Sequence, residues 1–236
     1  MRKFLSALTA SAGSVAFATH AFAQEVRNPP EEWEALWDTV MLDITIIGVI
    51  MTVLAVWMLI KFRATSPDQV GTAKKLTTTQ SIAFALIPAS IFMADDFYLA
   101  AKGWTVFNTY RNVPENAMEV KVTGYQWYFE FEYPDGTIAE ADMETPIKVP
   151  VGQPVVFRMT SEDVIHSFGL PYYRVKEDIM PGRITYVWIN PVEKQTKAVL
   201  QCAEFCGEAH SQMANPVHAV PQAEFEAWLA EVAAEG

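Results

Sequence analysis

Residues 126–136 read Gln126-Trp127-Tyr128-Phe129-Glu130-Phe131-Glu132-Tyr133-Pro134-Asp135-Gly136. Trp127, Phe129, Phe131 and Tyr133 alternate with polar Gln126, Glu130 and Glu132, Tyr128 being the exception, and Pro-Asp-Gly ends the run as a turn. Period-two alternation places apolar side chains on one face of a strand and polar ones on the other. Residues 118–123 repeat the pattern, with Met118, Val120 and Val122 set against Glu119, Lys121 and Thr123. Further short strands are predicted at 147–149, 154–160, 184–189 and 198–202, and an amphipathic helix at 225–232 after Pro221. Several short strands broken by Pro and Gly define an antiparallel sandwich or barrel, here spanning residues 104–236.

The chain upstream has a different texture. Residues 44–60 (ITIIGVIMTVLAVWMLI) and 76–94 carry no charge, the second run containing Pro88. Seventeen helical residues cover about 26 Å, so the first run needs residues 39–43 to complete a span of about 30 Å. Two transmembrane helices are expected at about 39–60 and 76–98. The loop between them holds Lys61, Arg63, Lys74 and Lys75 against one acid, Asp68, while Asp38, Asp95 and Asp96 flank the outer ends. Positive loops stay in the cytoplasm, so the pair reads as a hairpin with both termini outside.

Arg2 and Lys3 precede an apolar stretch ending at Ala21-Phe22-Ala23, the pattern of a cleaved signal peptide over residues 1–23. Residues 24–103 then form the exported N-terminal segment and the hairpin. Cleavage removes two positive charges and no acid, taking the net charge from −11 to −13. A chain this acidic is a poor match for nucleic acid and suits the steering of a basic partner.

Chemistry concentrates in Cys202-Ala203-Glu204-Phe205-Cys206-Gly207-Glu208-Ala209-His210-Ser211-Gln212-Met213, with His166 upstream in Asp163-Val164-Ile165-His166-Ser167. An exported cysteine pair ordinarily forms a disulfide. Zinc would use Cys202, Cys206, His210 and His166 in a closed tetrahedron and leave Met213 idle. A mononuclear blue-copper site would leave one cysteine over. Two coppers bridged by both thiolates use every donor, each taking one histidine, with Met213 and a backbone carbonyl in the weak axial positions.

The loop fits C-x-E-x-C-G-x-x-H-x-x-M at each fixed position. Together with Ser161-Glu162-Asp163-Val164 before His166, Gly124-Tyr125-Gln126-Trp127-Tyr128, and Asp178-Ile179-Met180-Pro181-Gly182-Arg183, it resembles cytochrome c oxidase subunit 2 over about residues 38–230. That resemblance implies a membrane-anchored all-β protein: a two-helix hairpin carrying a cupredoxin-like Greek-key β-sandwich. It implies a two-copper centre (copper A) held by His166, Cys202, Cys206, His210, Met213 and the Glu204 carbonyl. It further implies a magnesium ion shared with subunit 1 at the Glu204 carboxylate, and electron input from a c-type cytochrome through Trp127.

Glu132, Asp135, Glu162 and Asp163 stand where the family places docking acids. The implied partners are subunit 1, further oxidase subunits and the basic cytochrome. The implied location is the bacterial inner membrane, multi-pass, with both termini and the copper domain in the periplasm. His218 and Met143 match no ligand position and read as structural or surface residues. His20 leaves with the signal.

Two features depart from the family. Phe129 replaces a tryptophan common in the Trp-Tyr-Trp motif, which keeps the strand face aromatic. Ser81 stands where many relatives carry a helix-2 glutamate at the mouth of a proton path, and no acid occurs between Lys75 and Ala94. A serine relays protons through water but supplies no fixed charge to collect them. No C-x-x-C-H occurs, so the sequence contains no c-type haem motif of its own.

Overall fold

The computed structural model describes residues 28–141 and 143–235. The signal segment expected at 1–23, with His20, lies outside the described residues. Helix α1 covers Pro29–Lys61 and α2 covers Thr78–Arg111. Thr77 caps α2: its hydroxyl accepts from the Gln80 N–H while the Gln80 side chain accepts from the Thr77 N–H. This reciprocal capping starts the helix just after the first residues of the charge-free run. Ile44, Val53, Phe84, Ile87 and Ile91 stand exposed along the two helices. Both helices are long and apolar enough to cross a membrane, and among the described residues nothing buries their spanning stretches. Lipid is the solvent that removes this apolar surface from water.

Both helices outrun the spans expected for them. At 33 and 34 residues they extend about 50 Å each, against a hydrocarbon core of about 30 Å. The strand-bearing region was expected from residue 104, yet α2 continues through Arg111. Its last turn is held by the sandwich, as Trp188 Nε1 donates to the Thr109 carbonyl at 3.1 Å and Tyr110 Oη to the Arg174 carbonyl at 2.6 Å.

Among the described residues ten strands follow: β1 Met118–Tyr125, β2 Tyr128–Glu132, β3 Ile138–Ala141, β4 Ile147–Pro150, β5 Val155–Ser161, β6 His166–Leu170, β7 Val175–Ile179, β8 Thr185–Ile189, β9 Gln195–Cys202 and β10 Ala214–Val220. They form two five-stranded sheets, in the orders β3-β2-β1-β5-β8 and β4-β10-β9-β6-β7. Helix α3, Gln222–Glu235, closes the chain and buries Phe225 and Trp228 against Tyr133. The sheets bury Val120, Val122, Phe129, Phe131, Phe157, Phe168, Leu170, Ile189 and Leu200 between them.

The purely antiparallel expectation is corrected: β1 pairs with β5, and β4 with β10, in parallel. Each parallel pair joins strands far apart in sequence, which local alternation does not register. The strand expected at 126–133 also starts later, at Tyr128. Tyr125 pairs with Tyr128 across a two-residue turn, so Gln126 and Trp127 are the hairpin tip rather than strand residues. Phe129, Phe131 and Tyr133 do line the core as their alternation requires, while Trp127 remains 38% exposed.

Candidate metal centre

Strands β6 and β9 lie side by side, with Phe168 opposite Cys202, and this sets His166 and Cys202 at the same end of one sheet. The Ala203 N–H donates to the Ser167 carbonyl, and the Cys202 N–H to the Met213 carbonyl, each at 3.0 Å. The segment between them is therefore pinned at both ends, and a short 3-10 turn, His210–Gln212, brings Met213 back under the cysteines. Gly207 adopts φ +128°, a conformation open to glycine and strained for other residues.

Within this frame the donor atoms converge. Cys202 Sγ lies 3.8 Å from Cys206 Sγ, 4.0 Å from His166 Nδ1 and 3.2 Å from the Glu204 carbonyl oxygen. Cys206 Sγ lies 3.6 Å from His210 Nδ1 and 3.4 Å from Met213 Sδ. The cysteines are buried and unbonded to each other. A disulfide needs sulfur atoms about 2.05 Å apart. A separation of 3.8 Å instead suits a metal ion touching both sulfurs at about 2.3 Å. His166, Cys202 and Cys206 form a group able to hold a metal ion, all three ligand atoms lying within 4.8 Å of one another.

His166 is fully buried, and its Nε2 contacts Asp163 Oδ1 at 2.8 Å. With Nε2–H donating to the carboxylate, Nδ1 presents its lone pair towards Cys202. Burial alone would raise the Cys202 pKa, but its interactions with the His166 ring and with the backbone at Ser167 and Glu204 outweigh it and hold the thiol well below its ordinary range. Burial drives the Cys206 thiol upward, and the neighbouring Cys202 charge adds to this. The pair thus favours one thiolate beside one thiol before any metal arrives.

All the ligand candidates named from sequence meet here. Trp127 does not enter the donor cluster, but it abuts the loop that carries it: a Cβ placed on Gly207 would sit 3.1 Å from Trp127 Nε1. The four acids divide. Glu132 pairs with Lys121 at 2.7 Å, Asp135 Oδ1 accepts from the Thr137 N–H at 3.0 Å, and Glu162 is exposed. Asp163 turns its carboxylate inward, with 29% of the side chain exposed. The Glu204 side chain is exposed. His218 lies on β10 away from the donor cluster, and Met143 is exposed. Sequence reading passed over Gln126, whose Nε2 donates to the Cys206 carbonyl at 2.7 Å. It also passed over Gly124, whose missing side chain gives the His166 ring its space.

A β-sandwich on two membrane-length helices, with thiol, imidazole and thioether donors gathered at one loop, defines a membrane-anchored, cupredoxin-like metal-site protein. Residues 135–220 match the family described as cytochrome C oxidase subunit II, periplasmic domain. The chain is 34% identical to the alternative cytochrome c oxidase subunit 2 of Bradyrhizobium diazoefficiens over 158 residues, 56% of this chain and 57% of that protein. It is 30% identical to the cytochrome c oxidase subunit 2 of Cereibacter sphaeroides, covering 79% of this chain and 70% of the relative. The crystal structure of the periplasmic domain of subunit II of cytochrome oxidase (CoxB) of Bradyrhizobium japonicum superposes with a TM-score of 0.50 at 30% identity, over 52% of this chain and 99% of that one.

The chain belongs to the cytochrome c oxidase subunit 2 family. As such it is a subunit of an oxidase complex.

Proposed function

We propose that this protein is the electron-accepting subunit of a respiratory cytochrome c oxidase. It would take electrons from a c-type cytochrome at a two-copper centre and pass them to haem in subunit 1. There oxygen reduction to water is coupled to proton translocation. The observation that carries this reading is the central sulfur pair, unbonded at 3.8 Å, with an imidazole beside each sulfur.

His166, Cys202, Cys206, His210 and Met213, with the Glu204 carbonyl, would hold the copper. When bound, a copper pair would spread one electron over both ions, so that its bond lengths would change little between oxidation states. The protein's part is rigidity. Ligands fixed by a strand frame and by outer hydrogen bonds need little rearrangement when charge changes.

Trp127 is our candidate for electron input, because its exposed indole lies against the ligand loop. Glu132, Asp135 and Glu162 would steer a basic cytochrome toward that tip, and acids at a rim act on association rate more than on affinity. The Glu204 carboxylate would meet a magnesium ion shared with subunit 1. We place the sandwich and both termini in the periplasm, on the bacterial inner membrane, from the basic loop between the helices.

The test uses the full-length chain in detergent. Copper loading should bring two ions per chain and an EPR spectrum of one electron shared by two copper nuclei. A chain that forms a Cys202–Cys206 disulfide and takes up no copper under copper-replete conditions would refute the reading.

A further inference from the structure

Gln126 occupies the two-residue tip between β1 and β2, and both of its polar arms are engaged with the ligand-bearing loops. Its backbone N–H donates to Asp163 Oδ2 at 2.6 Å, and its side-chain Nε2 donates to the Cys206 carbonyl at 2.7 Å. These partners belong to different segments. Asp163 precedes β6 and holds the His166 ring through its other oxygen, at 2.8 Å. Cys206 lies in the loop after β9. One residue of the hairpin tip therefore joins the histidine side of the centre to the cysteine side.

The geometry leaves little slack. A Cβ on Gly207 would fall 3.0 Å from Gln126 Nε2 and 3.1 Å from Trp127 Nε1, so the Gly207 backbone lies directly under both tip side chains. Without the amide of Gln126, the Cys206 carbonyl loses its partner, and the Cys206–Gly207 peptide plane is free to turn. A shift of the loop backbone there would carry Cys206 Sγ away from a position set within 3.4–3.8 Å of Met213, His210 and Cys202.

We propose that Gln126 is a positioning residue. Held by Asp163 and gripping the Cys206 carbonyl, it fixes the Cys206 sulfur against the His166 side of the site and seats Trp127 on the ligand loop. This inference rests on the two-copper reading and deepens it, because it names the contact that ties the electron-accepting tip to the ligands.

The experiment replaces Gln126 in the assembled complex by Met (Q126M), which keeps the length and removes the donor. Q126E keeps length and polarity but sets oxygen lone pairs against the carbonyl, and it is read in place of Q126M should that variant misfold. Copper affinity, measured by chelator competition, should fall about ten-fold. The EPR and visible spectra of the centre should shift, and turnover should drop with KM for cytochrome c unchanged. Unaltered spectra and copper affinity would overturn the proposal. So would a rise in KM alone, which would make Gln126 a docking residue only. A wild-type chain that never loads copper would remove the functional reading and this inference together, whereas a normal wild-type centre with an indistinguishable variant would remove the inference alone.

Discussion

Asp163 Oδ1 lies 2.8 Å from Nε2 of the fully buried His166, and the same carboxylate accepts the backbone N–H groups of Val164 and Gln126 at 2.6 Å each. Burial opposes ionisation of Asp163, but the bond to His166 and the two N–H donors outweigh it and keep the carboxyl below its usual range. A carboxylate behind a ligating imidazole fixes both the ring's orientation and its tautomer. Asp163→Asn should therefore weaken copper binding about ten-fold. Glu132→Gln, which removes the carboxylate paired with Lys121, should leave copper affinity unchanged and raise KM for cytochrome c. Chelator competition and steady-state kinetics on the two variants separate the roles. Equal copper affinity in Asp163→Asn and wild type would show that the contact does not position the ligand.

Copper loading should strengthen with pH across the neutral range. Cys202, its pKa pulled down to about 6, is already thiolate there, while Cys206, pushed upward by burial and by its charged neighbour, still holds its proton. Binding needs both sulfurs deprotonated, so loading expels the Cys206 proton, and raising the pH favours the product side. Burial alone would lower the His166 pKa, but its hydrogen bonds to the Cys202 sulfur and to the Asp163 carboxylate outweigh that and raise it. As pH falls through that raised value a second proton must leave, and affinity should decline more steeply. Proton release measured during copper titration checks this, and affinity independent of pH would contradict it.

Gly124 is expected to tolerate no side chain. It sits on β1 between Phe129 of β2 and Ser161 of β5, and an added Cβ would lie 3.0 Å from His166 Cδ2 and 3.6 Å from Ile179 Cγ2. Neither neighbour is the loose end of an exposed chain, because His166 and Ile179 are both fully buried. Gly124→Ala should destabilise the sandwich by about 1–3 kcal/mol, the usual range for overpacking a filled core. Urea unfolding of the metal-free protein measures this without involving copper. An unchanged midpoint would mean that the ring moves aside freely.

The sequence made some of these features legible and hid others for physical reasons. Alternation in 118–123 and 128–133 is strong because one face of each strand is buried and the other is not, and both strands were found. Strand β6 was missed because His166–Leu170 is buried at every residue, which erases alternation. Strand β10 was missed because Pro216 lies inside it.

The ligand set was readable because four of its side chains share twelve consecutive residues. The outer contacts were not, since Gln126 and Cys206 are 80 residues apart and meet only after folding. Trp127 was placed on a strand because alternation runs on through it, and nothing local marks the turn that lifts it out.

The junction between α2 and the sandwich carries the last prediction. No loop separates the membrane span from the first contacts with the β-domain: α2 runs unbroken from Thr78 to Arg111. Its final turn is fixed by Trp188 bonding the Thr109 carbonyl, by Tyr110 bonding the Arg174 carbonyl, and by the Arg111–Glu177 ion pair at 2.9 Å. Trp188 is 2% exposed, so its hydrogen bond is shielded from water. A rigid helix clamped at its end transmits any change of helical register to the whole domain. One alanine inserted after Ala101 should turn the sandwich by about 100° and lift it by about 1.5 Å relative to the membrane. Copper loading and the EPR spectrum should survive, because the donor cluster lies wholly within the sandwich, whereas electron passage to subunit 1 should collapse. Trp188→Phe should instead loosen the clamp, costing about 1–3 kcal/mol for the buried carbonyl left without a donor. Full oxidase turnover by the insertion variant would show that the domain finds its position without guidance from the helix.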